Sequence, residues 1–183
     1  MNRLDLTELK GSIGYTYRDE RLLTQALTHT SYANELRINK LGSYERLEFL
    51  GDAVLEMVSS DFFYHTCPDE PEGRLTTMRA SAVCEQALAI TARDLNLGEY
   101  IRFGKGEDNS GGRHRESILS DVVEAIIGSI YLDGGVEPAK RFILRYVLND
   151  LDKKQLFYDA KTKLQEYLMA REMGSPEYRL VSE

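Results

Sequence analysis

Two pairs of acidic residues have the type and spacing that metal-assisted chemistry needs. Glu48 and Asp52 are four positions apart in the chain. Asp121 and Glu124 are three positions apart. Either spacing places two carboxylates on one face of a helix. Carboxylates with no His or Cys beside them suit Mg²⁺ or Mn²⁺ better than Zn²⁺, and Mg²⁺ that keeps water ligands commonly supports phosphodiester hydrolysis.

The surroundings of these four residues, the acidic quartet, favour a metal site. Both pairs border apolar stripes that are expected to face a core, and helix 117–132 contains no Lys or Arg. A buried carboxylate without a partner is costly, and a cation bound between the two helices would neutralise it. Gly128, about one turn after Glu124, leaves room for a close neighbour. The alternative is that these acids are solvated surface charges or pair with distant arginines, and the spacing alone leaves that open.

Helices are the elements that would position the quartet. Apolar residues recur with helical periodicity between short breaks that contain Gly, Pro or Asn, and strand-like character occurs only at residues 177–181. The predicted helices are 3–10, 20–27, 44–64, 75–94, 117–132, 138–148 and 161–173. Asp19 is the expected N-cap of the second helix, and residues 103–113 are expected to form a Gly-rich polar loop. The sequence therefore predicts an all-α fold.

The composition is that of a globular protein with one domain, or one domain and a fragment. The chain has 183 residues, 42% of them hydrophobic, and no apolar run approaches the ~20 residues of a membrane span. The N-terminus does not resemble a signal peptide, and two cysteines, Cys67 and Cys84, fit a reduced compartment. We expect a cytoplasmic protein without membrane association. The net charge of −7 argues at first against nucleic-acid binding, although the positions of the charges matter more than their sum.

Several segments together resemble one protein family. ERLEFLGD, residues 45–52, resembles the signature of ribonuclease III, and residues 115–135 resemble the second acidic motif of that family. The segments EGRLTTMRASAV, LGEYIRFGKGEDNSGGR and GYTYRDERLLTQALTHTSY are similar to other parts of the same family. The resemblance extends in order over nearly all of residues 1–150.

This resemblance implies an all-α endonuclease domain that dimerises, requires Mg²⁺ or Mn²⁺ and no small-molecule cofactor, and cuts both strands of duplex RNA. The products would carry 5′-phosphates and short 3′ overhangs, and the implied role is rRNA and mRNA processing. The metal ligands of the family fall on Glu48, Asp52, Asp121 and Glu124, with Asp52 and Glu124 as catalytic residues. A non-catalytic RNA-binding relative would lack part of this quartet, and a di-iron bundle would need Glu-x-x-His pairs, which do not occur here.

Other positions are predicted to lie near the RNA. The resemblance puts Glu45 and Glu72 at the cleft. Lys105, Arg113 and Arg115 are candidates for contacts with the RNA backbone, against the alternative of a flexible loop without such contacts. His29 is interpreted as a hydrogen-bonded structural residue.

Phe49 is predicted to lie at a dimer interface. On a helical wheel it points about 160° away from the centre of its helix's apolar stripe. A single exposed Phe is common, so the wheel alone leaves this open. The family places an aromatic residue here into a socket on the partner subunit.

The C-terminal part of the chain resembles a second kind of domain. Residues 159–183 are similar to the first helix and the start of the first strand of a double-stranded-RNA-binding domain, after a linker at 151–158. Too few residues follow to bury that helix, so we expect the chain to be truncated there.

Overall fold

Nine α-helices form the fold within residues 6–36, 42–149 and 151, which are the residues that the computed structural model describes. The helices are α1 (Thr7–Ile13), α2 (Glu20–Ala26), α3 (Thr30–Glu35), α4 (Glu45–Thr66), α5 (Glu72–Val83), α6 (Glu85–Asp94), α7 (Lys105–Asn109), α8 (Glu116–Gly134) and α9 (Val136–Phe142). Two 3₁₀ turns, Leu97–Tyr100 and Gly112–His114, and a π turn, Ile143–Val147, complete them. These residues contain no β-strand, and one β-bridge pairs Thr28 with Arg102. The predicted all-α class is confirmed.

Helix α8 is the centre of the core. Every residue from Ile118 to Ile130 is buried except Asp121 and Glu124. Helices α2, α4, α6 and α9 pack around it, as expected for a helix that is apolar on almost every side. The predicted helix 117–132 is therefore confirmed, and so is its end at the Asp133–Gly135 segment.

Helices α4 and α8 cross with their backbones in direct contact. A Cβ atom built on Gly51 would overlap the carbonyl oxygen of Glu124, and one built on Gly128 would overlap the carbonyl oxygen of Leu47. Residue 47 thus meets residue 128 and residue 51 meets residue 124, so the two helices run antiparallel. Only glycine at positions 51 and 128 permits this approach.

Asp133 ties the N-terminal segment to the end of α8. Its carboxylate accepts hydrogen bonds from the hydroxyl of Tyr15 at 2.7 Å and from the backbone N–H groups of Arg18 and Asp19, each at 2.8 Å. Asp19 in turn caps α2 by accepting from the N–H of Arg21 at 3.0 Å, as predicted. This network fixes the start of α2 against the central helix.

Several predicted boundaries are wrong. The single helix predicted over 75–94 is two helices, because Cys84 adopts an extended backbone (φ −67°, ψ 160°) and starts α6 in a new direction. Helix α1 does not end at Gly11 but continues to Ile13, where Gly14 takes the left-handed conformation (φ 69°). The loop predicted at 103–113 contains α7, and the helix predicted to open at Pro138 begins at Val136.

The predicted C-terminal segments lie outside the described residues. Of the linker 151–158 the structure describes Leu151, which packs against the core. The rest of the linker and the RNA-binding-domain fragment 159–183 lie outside the described residues. Among the described helices, none combines the length and the apolar character that a membrane crossing requires.

Candidate active site

The crossing of α4 and α8 brings acidic side chains from both helices together. Glu48 lies in the first turn of α4, and Asp121 and Glu124 lie in the first half of α8. Each of these three residues offers one carboxylate oxygen, and the three atoms lie within 4.8 Å of one another. All three side chains are partly buried. We call Glu48, Asp121 and Glu124 the central trio.

Asp52, the fourth member of the predicted quartet, lies beside the trio rather than within it. It is one turn after Glu48 on α4 and is exposed. Its charge contributes to the raised pKa values of both Glu124 and Glu48, which shows that it is near both. The structure therefore gathers three of the predicted residues closely and leaves Asp52 at the solvent-facing edge.

Burial and mutual repulsion make the trio hard to ionise. Burial, followed by the charges of Asp121, Glu45 and Asp52, raises the pKa of Glu48 to about 7. Burial, followed by the charges of Asp52, Glu48 and Asp121, raises the pKa of Glu124 to about 8. Burial also raises the pKa of Asp121. These are the shifts expected where several carboxylates compete for one desolvated space.

A divalent cation fits this arrangement. Within the described residues, no member of the quartet forms an ion pair with Lys or Arg. The donors are carboxylate oxygens, the ligand type of Mg²⁺, Mn²⁺ and Ca²⁺, and they converge from two rigid helices. A cation between them would remove the repulsion that raises their pKa values.

Sequence reasoning missed two residues that act on Asp121. The hydroxyl of Tyr44 donates a hydrogen bond to Asp121 Oδ2 at 3.2 Å. The charge of Glu85, the first residue of α6, contributes to the raised pKa of Asp121. Neither residue shares a helix face with Asp121, so periodicity offered no signal for either.

Comparison with known proteins identifies the family. A family profile described as Ribonuclease-III-like matches residues 19–151. Ribonuclease 3 of Pelotomaculum thermopropionicum is 48% identical over 181 residues, with 97% of this chain and 75% of the relative covered. Ribonuclease 3 of Caldanaerobacter subterraneus subsp. tengcongensis is 46% identical, with 97% of this chain and 79% of the relative covered.

The chain belongs to the ribonuclease III family. Its fold agrees: a nuclease domain of ribonuclease III from Campylobacter jejuni superimposes with a TM-score of 0.73 at 43% identity, covering 78% of this chain and 96% of that one. The resemblance drawn from residues 45–52 and 115–135 is thereby confirmed, together with the helical nuclease fold.

The two further glutamates that the ribonuclease III resemblance placed at the cleft differ in position. Glu45 is the exposed first residue of α4, where its charge helps to raise the pKa of Glu48. Glu72 is the exposed first residue of α5 and accepts a hydrogen bond from Thr76 at 2.9 Å. Within the described part of the chain, Glu72 is not among the charges that shift the trio. Glu45 thus adjoins the site, and the place of Glu72 at the cleft stays a prediction.

The three cations predicted to contact RNA have different surroundings. Arg113 is engaged inside the chain, since it forms a two-pronged ion pair with Asp108 (2.6 and 3.0 Å) and donates to the carbonyl of Gly98 at 2.8 Å. The guanidinium of Arg113 is thus largely engaged within the chain, and its contact with RNA stays a prediction. Arg115 pairs with Glu107 at 2.7 Å and remains about half exposed, and Lys105 is exposed.

His29 has the structural role predicted for it. Its Nδ1 accepts a hydrogen bond from the N–H of Ser31 at 3.1 Å and so caps α3. Its ring packs against those of Tyr44 and Phe103, with centroids 5.7 and 5.2 Å away.

Phe49 is the most exposed of the large hydrophobic residues in the described chain, with 81% of its surface accessible. A cavity of about 540 Å³ adjoins it, lined by Gln25, Glu45, Arg46, Leu47, Phe49, Leu50 and Leu132. Leu132, on the last turns of α8, is itself 54% exposed. An exposed aromatic side chain and an open cavity therefore lie side by side on one face.

Proposed function

We propose that this chain hydrolyses phosphodiester bonds of double-stranded RNA at the acidic quartet, with Mg²⁺ held by Glu48, Asp52, Asp121 and Glu124. The observation that supports this most directly is the central trio: three partly buried carboxylates, without a cationic partner in the described residues, converging from two helices in backbone contact. Membership of the ribonuclease III family makes duplex RNA the substrate class.

The bound metal ion would supply an activated water at neutral pH and positive charge beside the phosphate, and Mn²⁺ is expected to substitute for Mg²⁺. The residues of the chain set the conditions for this. With pKa values of about 7 and about 8, Glu48 and Glu124 are partly protonated near neutral pH without a cation, so cation binding would release protons. Asp52 is exposed, and its carboxylate is open to the proton that the attacking water gives up. Its exposure supports a catalytic role for Asp52, and the ribonuclease III resemblance carries the catalytic roles over to Asp52 and Glu124.

The bond changes follow from hydrolysis. The oxygen of water bonds to phosphorus and the bond from phosphorus to the 3′ oxygen breaks. The 3′ oxygen takes up a proton and leaves as a hydroxyl, so the phosphate stays on the 5′ end. Cuts displaced on the two strands would leave short 3′ overhangs.

Replacing Glu124 with Gln tests the proposed function. Glu124→Gln keeps the shape of the side chain and removes its charge, so we expect cleavage to fall by at least about a hundredfold while the helical fold is kept. The measurement is the rate of cutting of a long RNA duplex with Mg²⁺ and with EDTA. Glu137→Gln, at an exposed position on α9, is the matched control and should cut at the wild-type rate.

Near wild-type cutting by pure Glu124→Gln would contradict the proposal. Cutting by the wild type that persists in EDTA would contradict its metal requirement.

The proposal includes a homodimer in which each Phe49 enters the cavity beside Phe49 on the other copy. A two-fold dimer needs one surface that is complementary to itself, and an aromatic residue next to a cavity of about 540 Å³ meets that condition. The similar nuclease domain from Campylobacter jejuni has a region involved in dimer formation. Pairing would place two quartets along one duplex, one for each strand.

Contacts with RNA outside the quartet belong to the same proposal. Lys105, Arg113 and Arg115 remain the expected backbone contacts, with Glu45 and Glu72 at the cleft. Residues 159–183 remain the expected start of an RNA-binding domain after the linker. The expected setting is the cytoplasm, where rRNA and mRNA precursors supply duplex substrates.

A further inference from the structure

We propose that Tyr44 is a positioning residue that holds the carboxylate of Asp121 in the orientation in which it binds the divalent cation. This inference rests on the proposed function, because it assigns a role to Tyr44 at the same site. Tyr44 precedes α4, while Asp121 lies on α8, 77 positions later in the chain.

The backbone of Tyr44 is fixed at the start of α4. Its N–H donates to the carbonyl of Thr28 at 2.9 Å, which anchors it to the segment after α2. Its own carbonyl accepts from the N–H groups of Leu47 and Glu48, at 2.8 and 2.9 Å, and so begins the helix. Tyr44 therefore has a rigid connection to Glu48, a member of the trio.

The ring of Tyr44 is held as firmly as its backbone. Only 4% of the residue is exposed. The ring of His29 lies against it, 5.7 Å away between centroids, and His29 is fixed by its hydrogen bond at the start of α3 and by packing on Phe103. A side chain locked in this way places its hydroxyl at one point.

That point is the Asp121 carboxylate. The hydroxyl donates to Oδ2 at 3.2 Å, and a phenol with the ordinary pKa of about 10 is protonated near neutral pH. A donor fixed on one oxygen restricts rotation of the carboxylate. Hydrogen-bonding partners behind metal ligands commonly orient them in this way.

Tyr17 provides a matched control. Its hydroxyl is also buried and also bonds a residue of α8, Ser129, at 2.7 Å. Ser129 is not part of the quartet and carries no charge. Loss of the Tyr17 hydroxyl therefore removes a buried hydrogen bond to α8 without touching a carboxylate.

The test compares Tyr44→Phe with wild type and with Tyr17→Phe. Mn²⁺ binding is measured by isothermal titration calorimetry without RNA, and circular dichroism checks the fold. We expect Tyr44→Phe to bind Mn²⁺ about tenfold more weakly, the lower end of the range for such partners, and Tyr17→Phe to stay within about twofold of wild type. The Mg²⁺ concentration for half-maximal cleavage should rise for Tyr44→Phe alone, and excess Mg²⁺ should restore the rate.

A double-mutant cycle tests whether Tyr44 affects metal binding through Asp121. In an Asp121→Asn background, Tyr44→Phe should change Mn²⁺ affinity by less than about twofold, since the oriented carboxylate is already gone. Equal Mn²⁺ affinity of Tyr44→Phe and wild type, or equal weakening by Tyr17→Phe, would overturn the inference while leaving the proposed function intact. A wild-type chain that neither binds Mn²⁺ nor cuts duplex RNA would overturn both.

Discussion

Single residues of the site oppose the stability of the metal-free protein. Glu48 and Glu124 have pKa values of about 7 and about 8 in the fold, against an ordinary value of 4.5. Both shifts arise first from burial and then from neighbouring carboxylates. The fold therefore binds protons at these positions more tightly than the unfolded chain does. Deprotonation near neutral pH leaves repulsion that a cation would relieve.

The metal-free protein should lose stability as pH rises. Because the two pKa values are raised in the fold, their stabilising contribution is complete below pH 4.5 and is lost as pH rises through about 7 and 8. In EDTA, Glu124→Gln should lose less stability than wild type over that range, and millimolar Mg²⁺ should raise the Tm of wild type. Thermal unfolding followed by circular dichroism measures both effects.

The informative quantity is the difference in Tm between wild type and Glu124→Gln at each pH. Burial lowers the pKa of His29, which acts in the opposite sense and adds stability as pH rises through the region below 6.5. Parallel curves of Tm against pH for wild type and Glu124→Gln would show that deprotonation of Glu124 does not destabilise the fold.

At the scale of the elements, two glycines decide where the carboxylates meet. Gly51 and Gly128 let the backbones of α4 and α8 touch, and the side chains that flank this contact form the central trio. A larger residue at either position would separate the helices. The carboxylates would then separate with them, since each is attached within two turns of the crossing.

Gly51→Ala should therefore destabilise the fold and abolish metal binding. The added Cβ overlaps the backbone of Glu124, so the helices must shift, with an expected loss of about 2 kcal/mol or more in the free energy of unfolding. Urea denaturation measures it. Gly11→Ala on α1 is the control, because its Cβ would have no atom within 4 Å and Ala favours a helix by about 1 kcal/mol. Equal stability of Gly51→Ala and wild type would contradict the close crossing.

At the scale of the whole molecule, many charged side chains form ion pairs within the chain. The net charge is −7, and Arg79, Arg113 and Arg115 pair with Glu56, Asp108 and Glu107. About half of the Lys and Arg side chains in the described residues, Lys105 among them, form no ion pair there. A bound cation would reverse the local field at the quartet, and a dimer would offer two such sites to one duplex.

Phe49→Glu should give a folded monomer that cuts both strands poorly. The residue is 81% exposed, so the substitution leaves the core intact. A carboxylate is costly to desolvate in the partner's cavity, and Glu45 in the lining would repel it. Light scattering at micromolar concentration measures the mass, and gel analysis of a duplex measures cutting of each strand. Leu144→Glu, at an exposed leucine beside a different cavity, should remain dimeric. An unchanged dimer for Phe49→Glu would remove Phe49 from the interface.

The sequence by itself determined the local features of the site. Helical periodicity was enough to predict the buried segment 117–132, the shared face of Asp121 and Glu124, and the exposure of Phe49. The close neighbour for which Gly128 was expected to leave room was also found. Each of these depends on residues within a few turns of one helix, which is the range over which periodicity carries information.

The tertiary structure decided the relations between helices. It showed that the close neighbour of Gly128 is α4 and that Tyr44 reaches Asp121. It also placed Asp52 outside the central trio and engaged Arg113 within the chain. No Gly or Pro marks the break at Cys84 in the sequence. The break allows α6 to pack against α8. A periodic pattern specifies which face of a helix is buried, but the partner of that face is chosen by packing across the whole core.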